Sequence, residues 1–579
     1  MKRIAIIMIC LTLSAALLAG CGGTATAGSS GAASSSGAAS SSGTSSTAAV
    51  TVTEAPTTEQ FSDGDTRTVS ADDANATITL SGSEGTLSDS TRGSSGSVVT
   101  ITSKGSYLVT GSAEGVQIVV DDSTKSGNVY LILDSVSMTN ADACILVENA
   151  DKVILQLSGD STLTSTAPDK GTVYAKDDLT INGSGSLTVL SAKHGVVCKN
   201  DLRLTGGSLS VTAESVGLKS GGTVRISDGA ITLSTGHDGV QIDSDAGDGY
   251  FYMEGGAVSI DAGYDGVDVG TSESVAYTGY LRITGGTLAI TAGGGSDSAK
   301  SDTSQKGLKC AGNIYLDGGA VTVSAADDAV HADGDVSVAD GVLTLSSSDD
   351  GVHAAGTLAV SGGALTVSKS YEGLEAETVS VSGGTVRVTA SDDGVNAAGG
   401  SDSASAEAGP WKQGGNTGVI QISGGELTVN AGGDGLDSNG SIRVSGGVTV
   451  VEASTAGGNG ALDKGDGALC VCEITGGTVL ALGTADMAVN FDSGSQCSAL
   501  VGLSGKAGDV ITVDDGSGFS YTATKAFSCA VYSGPELKQG QSYTITVGAS
   551  TAAISFADGL YYTSVSSMGG GKPGGPEMR

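Results

Sequence analysis

Between residues 195 and 435 one short phrase recurs ten times. Aligned on the glycine of an Asp-Gly-Val motif, it falls at Gly195, Gly217, Gly239, Gly266, Gly307, Ala329, Gly351, Gly373, Gly394 and Gly435. The spacings are 22, 22, 27, 41, 22, 22, 22, 21 and 41 residues. A glycine pair keeps step with it, at Gly206-Gly207, Gly255-Gly256, Gly285-Gly286, Gly318-Gly319, Gly362-Gly363, Gly383-Gly384, Gly424-Gly425, Gly446-Gly447 and Gly476-Gly477, and Asp228-Gly229 and Asp340-Gly341 stand in for it twice. Two markers in step mean one structural unit repeated, with insertions wherever the spacing grows. A single large globular core is a poor alternative, because aromatics are only 4% of the 579 residues while Gly alone accounts for 93.

Within one unit the apolar residues alternate as Val352/Ala354, Leu358/Val360 and Leu365/Val367, separated by Gly or Asp. Three period-2 segments are three short strands. At ~3.3 Å per residue a 22-residue unit has a contour of roughly 70 Å, enough for a three-sided coil filled by its own side chains and stacked at ~4.8 Å on the next. The expected fold is therefore all-β, a right-handed parallel β-helix solenoid. Leucine-rich repeats need a denser Leu pattern with Asn, and the calcium β-roll has a shorter period. The segments VQIVV, VYLIL, VILQL and LTING, from 116 to 183, read as irregular first coils capping one end. After Gly477 the markers stop, and ALVGLS, DVITVDD and SYTITVG predict a small C-terminal antiparallel β module.

The runs LILDSVSMTNADACILVENADKVILQL, AKDDLTINGSGSLTV, SQKGLKCAGNIYLDGGAVTVSAADDAVHADG and YEGLEAETVSVSGGTVRVTASDDGVNAAGG resemble the bacterial carbohydrate-binding parallel β-helix family. These are pectate-lyase-like, calcium-containing polysaccharide-binding proteins. The resemblance spans roughly residues 65 to 560. It implies calcium, an acidic or plant cell-wall glycan as partner, and no catalysis. Ala329 in place of Gly, and His194, Val216, Lys306 and Glu372 in place of the motif Asp, depart from the pattern.

The N-terminus, MKRIAIIMICLTLSAALLAGC, places Lys2 and Arg3 before an apolar run that ends in Leu18-Ala19-Gly20-Cys21. It resembles a bacterial lipoprotein signal, which implies lipidation of Cys21 and an extracytoplasmic, membrane-anchored protein that meets the membrane through the lipid alone. The domain reading is signal peptide 1–21, a flexible Gly/Ser/Ala/Thr-rich linker 22–64, the β-helix 65–490, the β module 491–566 and a Gly/Pro tail 567–579. The seven cysteines beyond Cys10 and Cys21 are odd in number and irregular in spacing, so neither a disulfide framework nor a zinc site is expected. Cys470 and Cys472 are read as buried. With 28 Lys+Arg against 63 Asp+Glu the net charge is −35, which excludes nucleic acid and attracts cations. A monomer is expected.

Equivalent positions of stacked units form ladders. The residue before the motif glycine reads His194, Val216, Asp238, Asp265, Lys306, Asp328, Asp350, Glu372, Asp393 and Asp434, doubled at Asp327-Asp328, Asp349-Asp350 and Asp392-Asp393. Carboxylates ~5 Å apart repel by ~1 kcal/mol in water and by several times that at an effective dielectric of about 20. Ca2+ bridging carboxylates of adjacent coils would remove that repulsion. The other reading has each Asp accepting backbone N–H bonds in its turn. The calcium ligands expected are Asp238, Asp243, Asp245, Asp248, Asp265, Asp268, Asp327, Asp328, Asp349, Asp350, Asp392, Asp393 and Asp434. The loop Asp243-Ser244-Asp245-Ala246-Gly247-Asp248 resembles the start of an EF-hand but has Asp248 where that motif needs Gly.

Two residues after the motif glycine stand Lys219, Gln241, Asp268, Lys309, His331, His353, Glu375, Asn396 and Asp437, polar and read as outward. Three residues before the glycine pair, Arg203, Arg225, Tyr252, Arg282 and Tyr315 concentrate cations and aromatics on an acidic protein. Arg can pair with a uronate carboxylate and Tyr can stack on a sugar, while the same residues can also serve simply to fill a sheet face. These five and Trp411, alone in a Gly-rich insertion, are the candidate glycan-binding residues. A further outward column, Ser210, Thr232, Ser259, Thr322, Thr344, Thr366 and Thr428, is interrupted by Ala289 and Arg387 and is ordinary strand surface.

The function expected is a lipid-anchored cell-surface calcium-containing polysaccharide-binding protein without catalytic residues. One alternative is a calcium-dependent uronan (pectate) lyase with Lys309, near Asp328, as base. The other is a non-catalytic surface adhesin.

Overall fold

Val352, Ala354, Leu358, Val360, Leu365 and Val367, the alternating residues of one unit, are all buried together. Their polar neighbours turn outward, as a strand's two-residue period requires. The computed structural model describes residues 50, 52–56, 60–270, 277–397 and 417–565. Cys21 and its signal, most of the linker, the insertion holding Trp411 and the tail lie outside the described residues. The chain is all-β, and parallel ladders join each repeat to the next.

Three ladders run through the repeats. In the first, Leu218 pairs with Val240, Val240 with Val267, Val267 with Leu308 and Leu308 with Val330. In the second, Arg203 pairs with Arg225, Arg225 with Tyr252, Tyr252 with Arg282 and Arg282 with Tyr315. In the third, Ser210 pairs with Thr232, Thr232 with Ser259, Ser259 with Ala289 and Ala289 with Thr322. Val267 meets Leu308 across the 41-residue spacing, so the insertions leave the register intact. Inside the ladders a continuous apolar core runs from Ala76 to Val531. Each Val or Leu buried in it contributes on the order of 1.5–3 kcal/mol.

The glycine pair is explained at Gly362-Gly363. A Cβ on Gly362 would lie 2.1 Å from the carbonyl oxygen of Ala339 in the preceding coil, and Gly363 has φ +70, a left-handed conformation that costs L-residues about 1–2 kcal/mol. The seven cysteines among the described residues are free and buried. Burial pushes the Cys198 and Cys310 thiols up to about 12.

At the far end Cys529–Ser533 runs antiparallel to both Cys472–Gly483 and Ser498–Val501. A four-stranded antiparallel sheet of Val510–Val513, Ser520–Thr522, Ser542–Val547 and Ser550–Ser555 follows, with a core of its own that includes Phe527, Tyr532 and Phe556.

At the near end Ala76–Gly82 pairs in parallel with Gly105–Glu114. The residues before it do not leave as free linker. Gln60 and Asp65 are buried, and residues 60–75 run along the outside of the second ladder from the coil of Arg225 back to that of Ser106. The linker expected to reach residue 64 is therefore already docked at Gln60. Asp65 is the cause: its carboxylate meets Lys152 and Thr180, and its carbonyl accepts from Asn182 and Thr205.

Candidate functional site

The second ladder stacks the five expected glycan-binding residues in register, but under cover. Arg203 is only 8% exposed and Tyr315 only 4%, and Tyr252 is buried as well. Arg225 and Arg282 are half-buried, and the N-terminal strap and neighbouring carboxylates occupy the guanidinium groups of this column, so of the two readings the sequence left open the filled sheet face describes Arg203, Tyr252 and Tyr315. Arg203 donates to Asp178 at 2.9 Å and to Asp201 at 2.8 Å. Arg225 shares Asp201, donates to the Gln60 carbonyl at 2.9 Å and lies 5.2 Å over the Tyr250 ring. Arg282 donates to Asp317 and to the Pro56 carbonyl, each at 2.8 Å. The ring of Phe61 sits 6.4 Å from that of Tyr252.

Asp65 anchors the strap. Lys152 Nζ and Thr180 Oγ1 each donate to its Oδ1 at 2.7 Å, and Ser62 donates to Oδ2 through backbone and hydroxyl. Burial alone would raise this carboxyl, but the bonds from Lys152, Ser62 and Thr180 outweigh it and hold the group far below the usual carboxylate range. Sequence reasoning missed Lys152 and also Tyr250 and Tyr280, whose rings stack at 4.6 Å. Tyr250 and Tyr280 lie two residues before Tyr252 and Arg282, on the same strand face, and that offset was the available signal.

In the carboxylate ladder Asp238, Asp265, Asp328 and Asp350 are buried, and Glu372, Asp393 and Asp434 are half-buried. Its residues hold the stack together by a repeated bond in which a motif carboxylate accepts the backbone N–H of the next coil. Asp238 takes that of Asp265, Asp265 that of Lys306, Asp328 that of Asp350, Asp393 that of Asp434, and Asp434 that of Gly460.

Three groups converge so that their ligand atoms lie within 4.8 Å: Asp327, Asp328 and Asp349; Asp350, His353 and Glu375; and Asp393, Asp434 and Asp437. The first already holds two ammonium groups. Lys306 reaches Asp327 at 3.2 Å and also Asp328, and Lys300 reaches Asp327 at 3.2 Å and also Asp349. In the second, His353 Nδ1 lies 2.7 Å from Glu375 and 3.4 Å from Asp350. Burial opposes its protonation, but those two carboxylates raise its pKa to about 10. The third is all oxygen, and no ion pair reaches it among the described residues. Burial, then Asp393 and Asp463, raise Asp437 to about 7, and burial with Asp393 raises Asp434 to about 6. Asn396, paired with Asp437 in the ladder, is buried with its Oδ1 unbonded.

The other expected ligands are not members of these groups, although Asp392 neighbours the third and helps burial to raise Asp393 and Asp434. Asp238 faces His237 at 3.0 Å. Asp243 and Asp245 line a cleft of about 330 Å³ with Lys199 and Lys219, Asp248 accepts from Ser244 at 2.8 Å, and Asp392 lies beside Tyr371.

Two expectations about neighbouring residues are also corrected. Lys309 does not serve Asp328. It bridges Asp265 at 3.1 Å and Asp268 at 3.3 Å, the neighbours its ladder supplies, while Lys306 takes Asp328. His331 and His353, stacked at 4.6 Å, are buried instead of solvent-facing, because Asp328, Asp350 and Glu375 satisfy their ring nitrogens.

A carbohydrate-binding domain-containing protein of Acetivibrio thermocellus is 35% identical over 129 residues, 20% of this chain and 45% of that protein, so the chain spans less than half of that relative. A solved structure described as a polysaccharide lyase-like protein from C. thermocellum, gadolinium derivative, is 27% identical. The match covers 49% of this chain and 96% of that one at a TM-score of 0.33. The model of carbohydrate-binding domain-containing proteins matches residues 95–351 and 349–529, most of the chain's length, and the chain belongs to that family.

Proposed function

We propose that this protein binds polysaccharide, with acidic cell-wall glycans as its preferred class, and that it does so as a monomeric, calcium-containing, right-handed parallel β-helix held outside the cytoplasm by lipid on Cys21. Family membership supports the carbohydrate partner. The observation that carries the acidic preference is the in-register stack of Arg203, Arg225, Tyr252, Arg282 and Tyr315. On a chain of net charge −35 a polyanion needs local cations, and guanidinium groups pair with carboxylates in two-point geometry; Asp178, Asp201 and Asp317 hold these three in place, and Arg225 and Arg282 keep a further N–H directed outward to a carbonyl.

Calcium fits the third group best. Asp393, Asp434 and Asp437 offer only hard oxygen, no internal cation neutralises them among the described residues, and Asn396 Oδ1 is a further unbonded oxygen beside them. These residues would hold the ion, which would supply the positive charge that the like-charged ladder lacks.

Binding proceeds without turnover in this reading. Burial disfavours the Lys309 ammonium, but Asp268 and Asp265 outweigh it and keep the group protonated well above its ordinary range, so it has no lone pair with which to take a proton. A glycan array run with and without chelator tests the function. Replacing Arg225 and Arg282 together with Ala should weaken uronan binding about tenfold through loss of charge-assisted bonds. Unchanged affinity, with binding lost instead in Trp411→Ala, would move the site to the insertion. Steady release of unsaturated product that vanishes in Lys309→Ala would establish a lyase.

A further inference from the structure

An extended chain already lies along the second ladder, and it is the protein's own. Arg282 and Arg225 donate to the carbonyls of Pro56 and Gln60, and Asn182 donates to those of Asp65 and Arg67. The groove thus presents donors, and what it reads is a line of carbonyl oxygens with one carboxylate, that of Asp65, seated on Lys152 and Thr180. Gln156 alone among these contacts also accepts, from the Val69 N–H.

The strap is held almost wholly by such polar bonds. Of residues 60–69 only Gln60 and Asp65 are buried, and the apolar core begins at Ala76. Nor does the strap fill its groove. A cavity of about 210 Å³ remains beside it, bounded by Phe61, Asp65, Lys152, Arg203 and Arg225.

We propose that residues 60–69 are a built-in competitor for the glycan: Asp65 occupies a carboxylate subsite formed by Lys152, Thr180 and Arg203, and a uronate oligomer displaces it. This rests on the acidic-glycan reading above and adds to it a subsite, an occupant and a means of regulation. A uronate chain offers what the strap offers, acceptor oxygens in a row with carboxylates at intervals, and it repeats the carboxylate where the strap has one. Exchange conserves the donor–acceptor pairing of the groove, so no buried donor is left without a partner. Beyond the subsite Arg225 and Arg282, while held by Asp201 and Asp317, each give one further N–H to a strap carbonyl, and those donors pass to later acceptor oxygens of the oligomer.

The test uses the full chain and a galacturonate decamer. Asp65→Asn keeps the size of the side chain but removes its charge, and should tighten decamer binding about tenfold and by more than it tightens binding of a neutral cello-oligosaccharide. Adding Lys152→Ala to that variant should abolish the gain. In the unaltered protein, saturating decamer should speed amide hydrogen exchange across residues 60–69 and leave the core strands protected. Should Asp65→Asn melt early, the exchange measurement on the unaltered protein decides. If the unaltered protein binds the decamer while Asp65→Asn gains nothing and strap exchange is unmoved, the strap is a fixed part of the fold and the competitor is overturned, with the binding function intact. If neither protein binds any acidic glycan, the function reading falls and takes the competitor with it.

Discussion

Along the ladder of Arg203, Arg225 and Arg282 every cation meets a carboxylate or a carbonyl within about one coil, supplied by Asp178, Asp201, Asp317 or the strap. Along the ladder from Asp238 to Asp434 like charge stacks on like, backbone N–H groups give each carboxylate a neutral donor, and among the described residues countercharge comes only where Lys306, Lys309, Lys300 or a His has been placed. Both ladders arise from the same repeat geometry, which puts equivalent side chains at adjacent levels whatever their charge. A repeat therefore multiplies a favourable pairing and an unfavourable one alike, and whether a ladder is settled or loaded depends on what other parts of the chain bring to it.

The largest effect should come from removing a relief point. Lys306→Met leaves the buried Asp327 and Asp328 without that ammonium and should cost about 3–5 kcal/mol in urea unfolding. An unshifted midpoint would mean the carboxylate ladder carries no load there.

A smaller effect should separate the ladders by pH. Burial and neighbouring carboxylates raise Asp434 to about 6 and Asp437 to about 7, above the ordinary aspartate range, so their contribution is full below about pH 4 and is lost as pH rises through the folded values. Without calcium, stability should fall on the order of 2 kcal/mol between pH 5 and 8. Calcium should abolish the fall, and chelation should lower the melting temperature more at pH 8 than at pH 5. The Asp65 carboxyl is held low, so its contribution persists above the unfolded value and the strap should stay docked throughout that window, as read by hydrogen exchange. Melts that are flat with pH and indifferent to metal-free buffer would erase the contrast.

Gly363→Ala provides a version without charge. With φ +70 and backbone of the preceding coil 2.8 Å from a new Cβ, it should cost about 1–2 kcal/mol, equally at pH 5 and 8 and in high salt. Smallest of all, Thr232→Ala on the exposed third ladder should stay within about 0.5 kcal/mol. A larger loss would show that face to be engaged.

Much of the stack was legible because its signal is local and periodic. The alternation from Val352 to Val367 and the spaced glycines named the strands and their turns, and the second ladder could be listed residue by residue before its register was known. The strap was not legible. Asp65 meets Lys152 and Thr180 across 87 and 115 residues, no period links them, and a carboxylate in a Ser/Asp/Thr stretch reads as linker. His331 and His353 misled for a related reason: polarity in a repeat position suggests solvent, but carboxylates of the same and adjacent coils satisfied both rings and allowed burial. Lys309 could be assigned to the right ladder but not to the right partner, since the choice between Asp265 and Asp328 depends on side-chain direction and not on level.

The direction of the strap has a mechanical consequence. It enters at the coil of Arg282, runs back past Arg225, Asn182 and Gln156, and joins the first strand at Ala76. A pull applied at residue 50 and directed away from the stack loads the Arg282 contact first, then Arg225, then the Asp65 seat, one after another. Bonds loaded in sequence unzip at low force, whereas bonds loaded side by side resist in shear. Tension from the N-terminal side would thus strip the strap coil by coil while the stacked ladders, whose hydrogen bonds share the load across several strands, remain whole.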